Sequence, residues 1–306
     1  MTICFFGSSS FSVPSLYALR DKITLVVTKK AKPKGRGYTV DDNEVKKTAL
    51  SLGLIVLEID SFKDEEANKI EMYEFDLIVT VSFGLIIPEK ILKMPKLAPI
   101  NVHPSLLPKY RGPSPIQATI LNGDKETGIT IIKMVKKMDA GNILFQEKVE
   151  IRDDDDAISL GERLSRRAAE ILKDFVDVIE KEGIKEGIVQ DERLATYTKM
   201  VTKEEAKIDW TKSSYEIVNM VRAYAGWPVA YTYLDGKLLK IHKARVYNLT
   251  TSENPGKIVL VTRDGILCAT GDGVVLINEV QLENRRKMSA YDFANGVKGI
   301  VGKTLT

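Results

Sequence analysis

Ile3-Cys4-Phe5-Phe6-Gly7-Ser8-Ser9-Ser10-Phe11 is the stretch that decides the fold. An apolar run ends in a Gly-Ser turn, a helix-period segment follows over Phe11–Leu19, and a second apolar run follows over Ile23–Thr28. A strand covered on both faces needs an unbroken apolar run rather than alternation, and such strands separated by helical segments predict a parallel sheet. The rhythm continues outward. Asn43–Leu52 and Glu65–Met72 suit helices, and Leu77–Val81 and the shorter Ala98–Val102 suit buried strands. Pro113–Leu121 fits a helix, with proline tolerated in its first turn. Ile129–Val135 and Ile143–Ile151 read as two further strands. The expected architecture is α/β, a Rossmann-like, mostly parallel sheet with helices on both faces.

The second half changes character. Asp153–Asp156 precede a long amphipathic stretch to about Lys181, with acids at its start and Lys181 near its end, as the helix dipole prefers. The aspartate run reads as a solvated first turn, not a metal site. The pattern weakens from Gly187 to about Glu205 and reads as a connector. Ser213–Tyr224 suits a helix. Ala230–Leu234, Lys237–Tyr247, Lys257–Thr262, Gly265–Ala269 and Val274–Gln281 then read as strands, with Asp235-Gly236 as a hairpin turn. Short strands punctuated by Gly and Asp predict a small β-barrel of the oligonucleotide-binding kind. Ser289 is placed to cap a last helix through Asn295. The expected domains are residues 1–188, a linker over 189–205, and the barrel over 206–306.

The 306 residues suit two domains, and an apolar share of 44% is enough for real cores. The net charge of +3 is mild, but Lys29, Lys30, Lys32, Lys34 and Arg36 crowd one segment with no acid among them. Two cysteines, Cys4 and Cys268, lie in strand-like runs and read as buried, reduced thiols. No cluster has the ligand spacing of a tetrahedral metal site, and no apolar run is long enough to cross a bilayer. Met1–Gly7 has no basic leader and reads as a first strand, so a cytoplasmic location is expected.

The candidate chemistry centres on Asn101-Val102-His103-Pro104-Ser105-Leu106-Leu107-Pro108 and on Asp139 in Met138-Asp139-Ala140-Gly141. Of only two histidines, His103 sits among polar residues, whereas His242 alternates on a strand. Pro104 favours extended backbone at His103, which puts Asn101 and His103 on one side. An amide, an imidazole and a carboxylate suit carbonyl polarisation with proton management. A structural histidine after a strand remains the plain alternative. Ser82-Phe83-Gly84-Leu85-Ile86-Ile87-Pro88 follows a buried strand, where open α/β sheets bind ligands. Phe83, Leu85 and Ile86 suit an apolar wall, with Gly84 allowing close approach; the same residues also suit a loop packed on the core. Lys109-Tyr110-Arg111-Gly112-Pro113 reads as a stiff wall or a helix entry, with Lys109 and Arg111 available for phosphate. Lys34 and Arg36, in a Gly- and Lys-rich loop, and Arg285-Arg286-Lys287 suit phosphate contacts or simple solvation. Gly7-Ser8-Ser9-Ser10 lacks the G-x-G-x-x-G spacing of a dinucleotide site.

With these residues in view, the chain resembles the formyltetrahydrofolate-dependent formyltransferase family. Asn101 and His103 leading into Ser105-Leu106-Leu107-Pro108, with a later Asp139, resemble its signature, and Tyr110-Arg111-Gly112 with Pro115-Ile116-Gln117 is close to the usual form. Four further features resemble the branch that acts on methionyl-tRNA: Gly35-Arg36-Gly37, Ala206-Lys207-Ile208-Asp209-Trp210, Arg222 through Trp227-Pro228, and Ala269-Thr270-Gly271-Asp272-Gly273. The resemblance implies 10-formyltetrahydrofolate as donor, initiator methionyl-tRNA as partner, no metal, no membrane and a monomer. It implies Asn101 and His103 as donors to a developing oxyanion, and Asp139 as the group that orients His103 and takes the amine proton. Phe83, Gly84, Leu85, Ile86, Ser105, Leu106, Leu107 and Pro108 are expected around the donor. Lys34, Arg36, Lys109, Arg111, Arg285 and Arg286 are expected toward tRNA. Rival readings are transfer to a sugar nucleotide or purine precursor, donor hydrolysis, and a non-catalytic RNA-binding module.

Overall fold

The computed structural model describes residues 1–31 and 42–306. In chain order the elements are β1 (Ile3–Gly7), α1 (Val13–Leu19), β2 (Ile23–Lys29), α2 (Glu44–Ser51), β3 (Val56–Ile59), α3 (Glu65–Asn68), β4 (Leu77–Val81), α4 (Glu89–Leu92), β5 (Ala98–His103), α5 (Pro115–Leu121), β6 (Glu126–Lys133), β7 (Ile143–Glu150), α6 (Ala157–Glu182), α7 (Ser214–Ala223), β8 (Tyr231–Leu234), β9 (Lys237–Tyr247), β10 (Ile258–Thr262), β11 (Gly265–Ala269), β12 (Val274–Leu282), β13 (Met288–Ser289) and α8 (Ala290–Asn295). The chain forms two compact units. One holds Met1–Pro115, Glu126–Glu150 and Gly161–Thr198; the other holds Ile116–Lys125, Ile151–Leu160 and Lys199–Thr306.

The first unit is built on a seven-stranded sheet in the order β3-β2-β1-β4-β5-β6-β7. The five strands from β3 to β5 pair in parallel, and β6 and β7 add antiparallel, as the mostly parallel reading expects. Every residue of β1 and β4 is buried, which explains their unbroken apolar runs. The order of strands reverses between β1 and β4, and beyond the carboxyl ends of strands at such a switch open α/β sheets bind their ligands. Asn43 joins β2 to α2: its side chain accepts from Lys46 N at the start of α2 and donates to Lys29 O at the end of β2, at 3.0 and 2.8 Å. Two elements escape the sequence reading. β3 is a short, half-buried strand that directly follows the helical run, and α4 spans a single turn.

The second unit holds an antiparallel sheet in the order β10-β11-β12-β9-β8, with β13 beside β12. Among the described residues, the named strands do not by themselves close into the expected barrel; β10 and β8 stand at the two ends of the sheet. The C-terminal segment satisfies both edges. Ile258 N donates to Lys303 O and Leu305 N to Gly256 O, while Thr306 exchanges backbone bonds with Tyr233 at 2.8 and 3.0 Å. The Asp235-Gly236 turn has both residues at positive φ, 49° and 75°, the geometry a two-residue hairpin needs. Ser213 and Glu216 form a reciprocal cap on α7, and Ser289 caps α8 as expected. Asp272 accepts from Ser214 N at 2.7 Å, and a Cβ on Gly271 would stand 2.0 Å from Thr211 O, so this turn has room only for glycine. Trp210 lies in the core of this unit, its ring nitrogen donating to Thr232 Oγ1 at 2.9 Å.

Candidate active site

Asn101 and His103 are alternate residues at the end of β5, so the extended backbone points both the same way. Strand register sets Asn101 beside Thr80 of β4 and Ile132 of β6. Asp139 comes from the turn between β6 and β7. There it takes the left-handed conformation, φ 49°. The turn folds tightly on β6: a Cβ on Gly141 would lie 1.6 Å from Lys133 O.

These three residues meet. Asn101 Nδ2 donates to Asp139 Oδ1 at 3.2 Å, and Gly112 N donates to Asp139 Oδ2 at 2.8 Å. His103 Nδ1 lies 3.7 Å from Asp139 Oδ2, while its Nε2 lies 2.9 Å from Tyr110 O. A carbonyl only accepts, so Nε2 carries the proton, and Nδ1 is the nitrogen left for chemistry. This changes the expected division of labour. The Tyr110 carbonyl orients the imidazole, and Asp139 Oδ2 stands just outside hydrogen-bond reach of Nδ1. All three are shielded: the side chains of His103 and Asp139 are 4% and 13% exposed, and Asn101 is half-buried.

The segment after His103 is a scaffold. Ser105 Oγ donates to Lys109 O at 2.7 Å, and Thr130 Oγ1 donates to Ser105 O at 2.6 Å. Gln146 Nε2 donates to Leu107 O at 2.9 Å, and Leu106 packs over Gly128 so closely that a Cβ there would lie 2.4 Å from it. Leu107–Pro108 is cis. Ser105 and Leu107 are buried and spent within the loop, which moves them from the donor's expected surroundings to the support beneath it. Phe83 moves likewise: it is 2% exposed and packs edge-on against Phe6 at 5.1 Å. Its neighbours are more open. Gly84 is exposed at φ 75°, Leu85 is half-buried, and Ile86 stands 77% exposed.

Arg111, read as a cation for phosphate, is completely buried. Its Nε and Nη2 donate to Gln190 Oε1 at 3.1 and 2.8 Å, its Nη1 donates to Tyr197 Oη at 3.1 Å, and Nη2 pairs with Glu192 at 2.9 Å. Burial without loss of charge is possible because all of its donors are matched. Bonds from Arg111 and Lys137 hold the Glu192 carboxyl down at about 2. Gln190–Thr198, in the stretch read as a connector, therefore belongs to this site. Its backbone runs beside the catalytic loop: Thr196 N donates to Pro108 O, Arg111 N to Thr196 O, and Thr198 N to Arg111 O at 2.7 Å. No periodicity marks these residues in the sequence, because they work by tertiary contact alone. The remaining cations divide plainly. Lys109, Arg285 and Arg286 are exposed and have no ion pair among the described residues, while Lys34 and Arg36 lie outside those residues. No cluster able to hold a metal and no helix long and apolar enough to cross a membrane occurs among the described residues.

The sequence and the fold have counterparts in known proteins. Residues 2–176 match the family model described as formyl transferase, and residues 200–298 match its C-terminal domain model. The methionyl-tRNA formyltransferase of Alkaliphilus oremlandii is 39% identical over 300 residues, spanning 97% of this chain and 96% of that one. That of Methylacidiphilum infernorum is 40% identical over 317 residues, spanning 100% and 98%. Among solved structures, a sugar 3N-formyl transferase crystallised with dTDP and 5-N-formyl-THF has a TM-score of 0.69 at 24% identity, covering 94% of this chain and 99% of that one. The methionyl-tRNA formyltransferase from Clostridium thermocellum has a TM-score of 0.54 at 17% identity, covering 81% and 95%. These two share the fold. By the family match and by the full-length relatives, this chain belongs to the formyl transferase family.

Proposed function

We propose that this chain transfers the formyl group of 10-formyltetrahydrofolate to the α-amino group of initiator methionyl-tRNA. The observation that carries the reading is the Asn101–Asp139–Gly112 cluster with His103 beside it, in a chain whose relatives carry that name over their whole length. The exposed edge formed by Gly84, Leu85 and Ile86 at the carboxyl end of β4 suits the flat ring of the donor, with Leu106 and Pro108 on the neighbouring loop. The Thr80 hydroxyl supports this fit: it is buried, has no hydrogen-bond partner, and sits next to Asn101 in register.

The chemistry follows from which donors are free. The α-amine, with an ordinary pKa of about 7.7–8.0, is neutral in about 10–20% of molecules near pH 7, and this neutral form attacks the formyl carbon. The new C–N bond forms as the carbonyl electrons move to oxygen. Asn101 commits one amide N–H to Asp139, and its other N–H donates to that oxygen. The amine's proton passes to the Asp139–His103 pair, where Nδ1 is the available base and the carboxylate steadies the resulting charge. The carbonyl re-forms as the bond to the folate nitrogen breaks, and that nitrogen takes the proton held by the Asp139–His103 pair. For the tRNA, Lys34, Arg36, Lys109, Arg285 and Arg286 supply phosphate contacts, while Arg111 acts from inside. The first unit, which includes Gln190–Thr198, carries catalysis in this reading, and residues 206–306 carry tRNA binding.

The test offers labelled 10-formyltetrahydrofolate with charged initiator methionyl-tRNA, charged elongator tRNA, amino-sugar nucleotides and no acceptor. Label in formylmethionine on initiator tRNA is the expected outcome. Transfer to a sugar nucleotide alone, or formate released without any acceptor at the same rate, ends the proposal.

A further inference from the structure

We propose that Gln190 is a positioning residue for Asp139, locked in its working orientation by the buried guanidinium of Arg111; the inference rests on the transfer reading above. Gln190 Nε2 donates to Asp139 O at 2.8 Å and to Gly141 O at 2.7 Å, bracketing the turn that carries the carboxylate. Its Oε1 receives both Nε and Nη2 of Arg111. The amide cannot be reversed. Arg111 offers only donors and the two carbonyls only accept, so a flipped amide would set N–H against N–H and oxygen against oxygen. The side chain is 6% exposed and Arg111 fully buried, so neither orientation nor partner is open to exchange with water.

The turn needs such a brace. Asp139 holds a left-handed backbone conformation, which aspartate tolerates better than most residues but which its surroundings must still hold in place. Gln190 fixes the turn's backbone, and the main chain on either side of Arg111 fixes the rest of the site. Tyr110 O receives His103 Nε2, and Gly112 N donates to the Asp139 carboxylate. One buried cation thus ties together the imidazole's orientation, the carboxylate's second bond and the backbone beneath that carboxylate. Gln190 touches no reacting group itself. It lies between the spans matched by the two family models, residues 2–176 and 200–298.

The full-length protein and its Gln190→Glu and Gln190→Met variants are compared in formyl transfer to charged initiator methionyl-tRNA. Gln190→Glu keeps the partner of Arg111 but replaces the donating amide by a carboxylate oxygen facing two carbonyls. It is expected to stay folded and lose turnover by about 10²-fold, the usual cost of displacing a catalytic group by an ångström, with KM for both substrates within about threefold. Gln190→Met removes both ends and is expected to lose at least as much. If it does not fold, Gln190→Glu carries the test alone. The decisive arm repeats Gln190→Glu in an Asp139→Asn background, where a residue acting only through Asp139 costs less than about threefold. Turnover by Gln190→Glu within about threefold of the unaltered protein, or full additivity with Asp139→Asn, overturns the inference. Absence of transfer by the unaltered protein would instead sink the functional reading, so the two failures are separable.

Discussion

Replacing Asp139 by asparagine tests the site at the atom where its parts converge. The carboxylate accepts two hydrogen bonds, from Gly112 N at 2.8 Å and from Asn101 Nδ2 at 3.2 Å, and faces His103 Nδ1 at 3.7 Å. Asparagine keeps one acceptor. If that oxygen stays on Gly112, its new NH2 confronts the NH2 of Asn101, and Asn101 must turn its amide over and aim its donors elsewhere. A hydrogen bond to a charged group contributes about 1.5–3 kcal/mol. A unit charge about 4 Å from a protonated imidazole interacts by about 4 kcal/mol in a protein-like dielectric. Losing between the smaller and the larger of these slows turnover by about 10–10³-fold. Because Asp139 sits on a turn rather than in a core cluster, folding should survive. The assay is single-turnover transfer from labelled donor to charged initiator tRNA at saturating substrates, with thermal unfolding measured on the same preparation. Turnover within about threefold of the unaltered protein would remove Asp139 from the chemistry. A loss found only in KM would make it a binding residue instead.

Other consequences follow from the same structure. Arg111→Lys keeps a buried charge but cannot serve Gln190, Glu192 and Tyr197 together, so unfolding free energy should fall by about 3–5 kcal/mol; a denaturant midpoint that barely moves would show that Arg111 is not a strut. Glu192 is held at about 2 against its usual 4.5 by Arg111 first and Lys137 second. Its depressed pKa gives stability that is present above about 4.5 and lost as pH falls toward about 2, so Glu192→Gln should flatten that acid limb in a melting-temperature series; an unchanged limb rejects the linkage. Arg285→Ala and Arg286→Ala should each reduce the slope of log affinity for tRNA against log salt by about 0.7–0.9 if each meets one phosphate, and an unaltered slope would assign both to solvation.

The legible parts of the fold were those written in local pattern. The apolar runs of β1, β2 and β4 announce a parallel sheet, Asp235-Gly236 announces a hairpin, and Ser289 announces a helix start, because each depends on neighbours in sequence. Failures came where a distant segment decides. The second sheet looks like a barrel from its short strands, but the edges are satisfied by Gly302–Thr306, whose pairing no periodicity records. Phe83 and Arg111 show the same limit in side chains. An apolar residue after a strand and an arginine in a stiff loop fit a ligand wall and a phosphate contact equally well on paper. Phe6 and Phe62 enclose the first, and Gln190, Glu192 and Tyr197 enclose the second.

The amino-acid sequence by itself singled out the candidate residues: Asn101 and His103 share a strand face by alternation, and Asp139 stands in a turn between two strands. The family first entered as a resemblance in the residues around them, and the family match and full-length relatives show it. Only the tertiary structure decided how these residues work. A histidine's free nitrogen depends on which carbonyl takes its other proton, here Tyr110 O, and a carboxylate's aim depends on a backbone brace, here Gln190, lying 51 residues further along the chain. Hydrogen bonds across such separations leave no periodic trace, because they are fixed by where the chain returns in space and not by what precedes or follows in sequence.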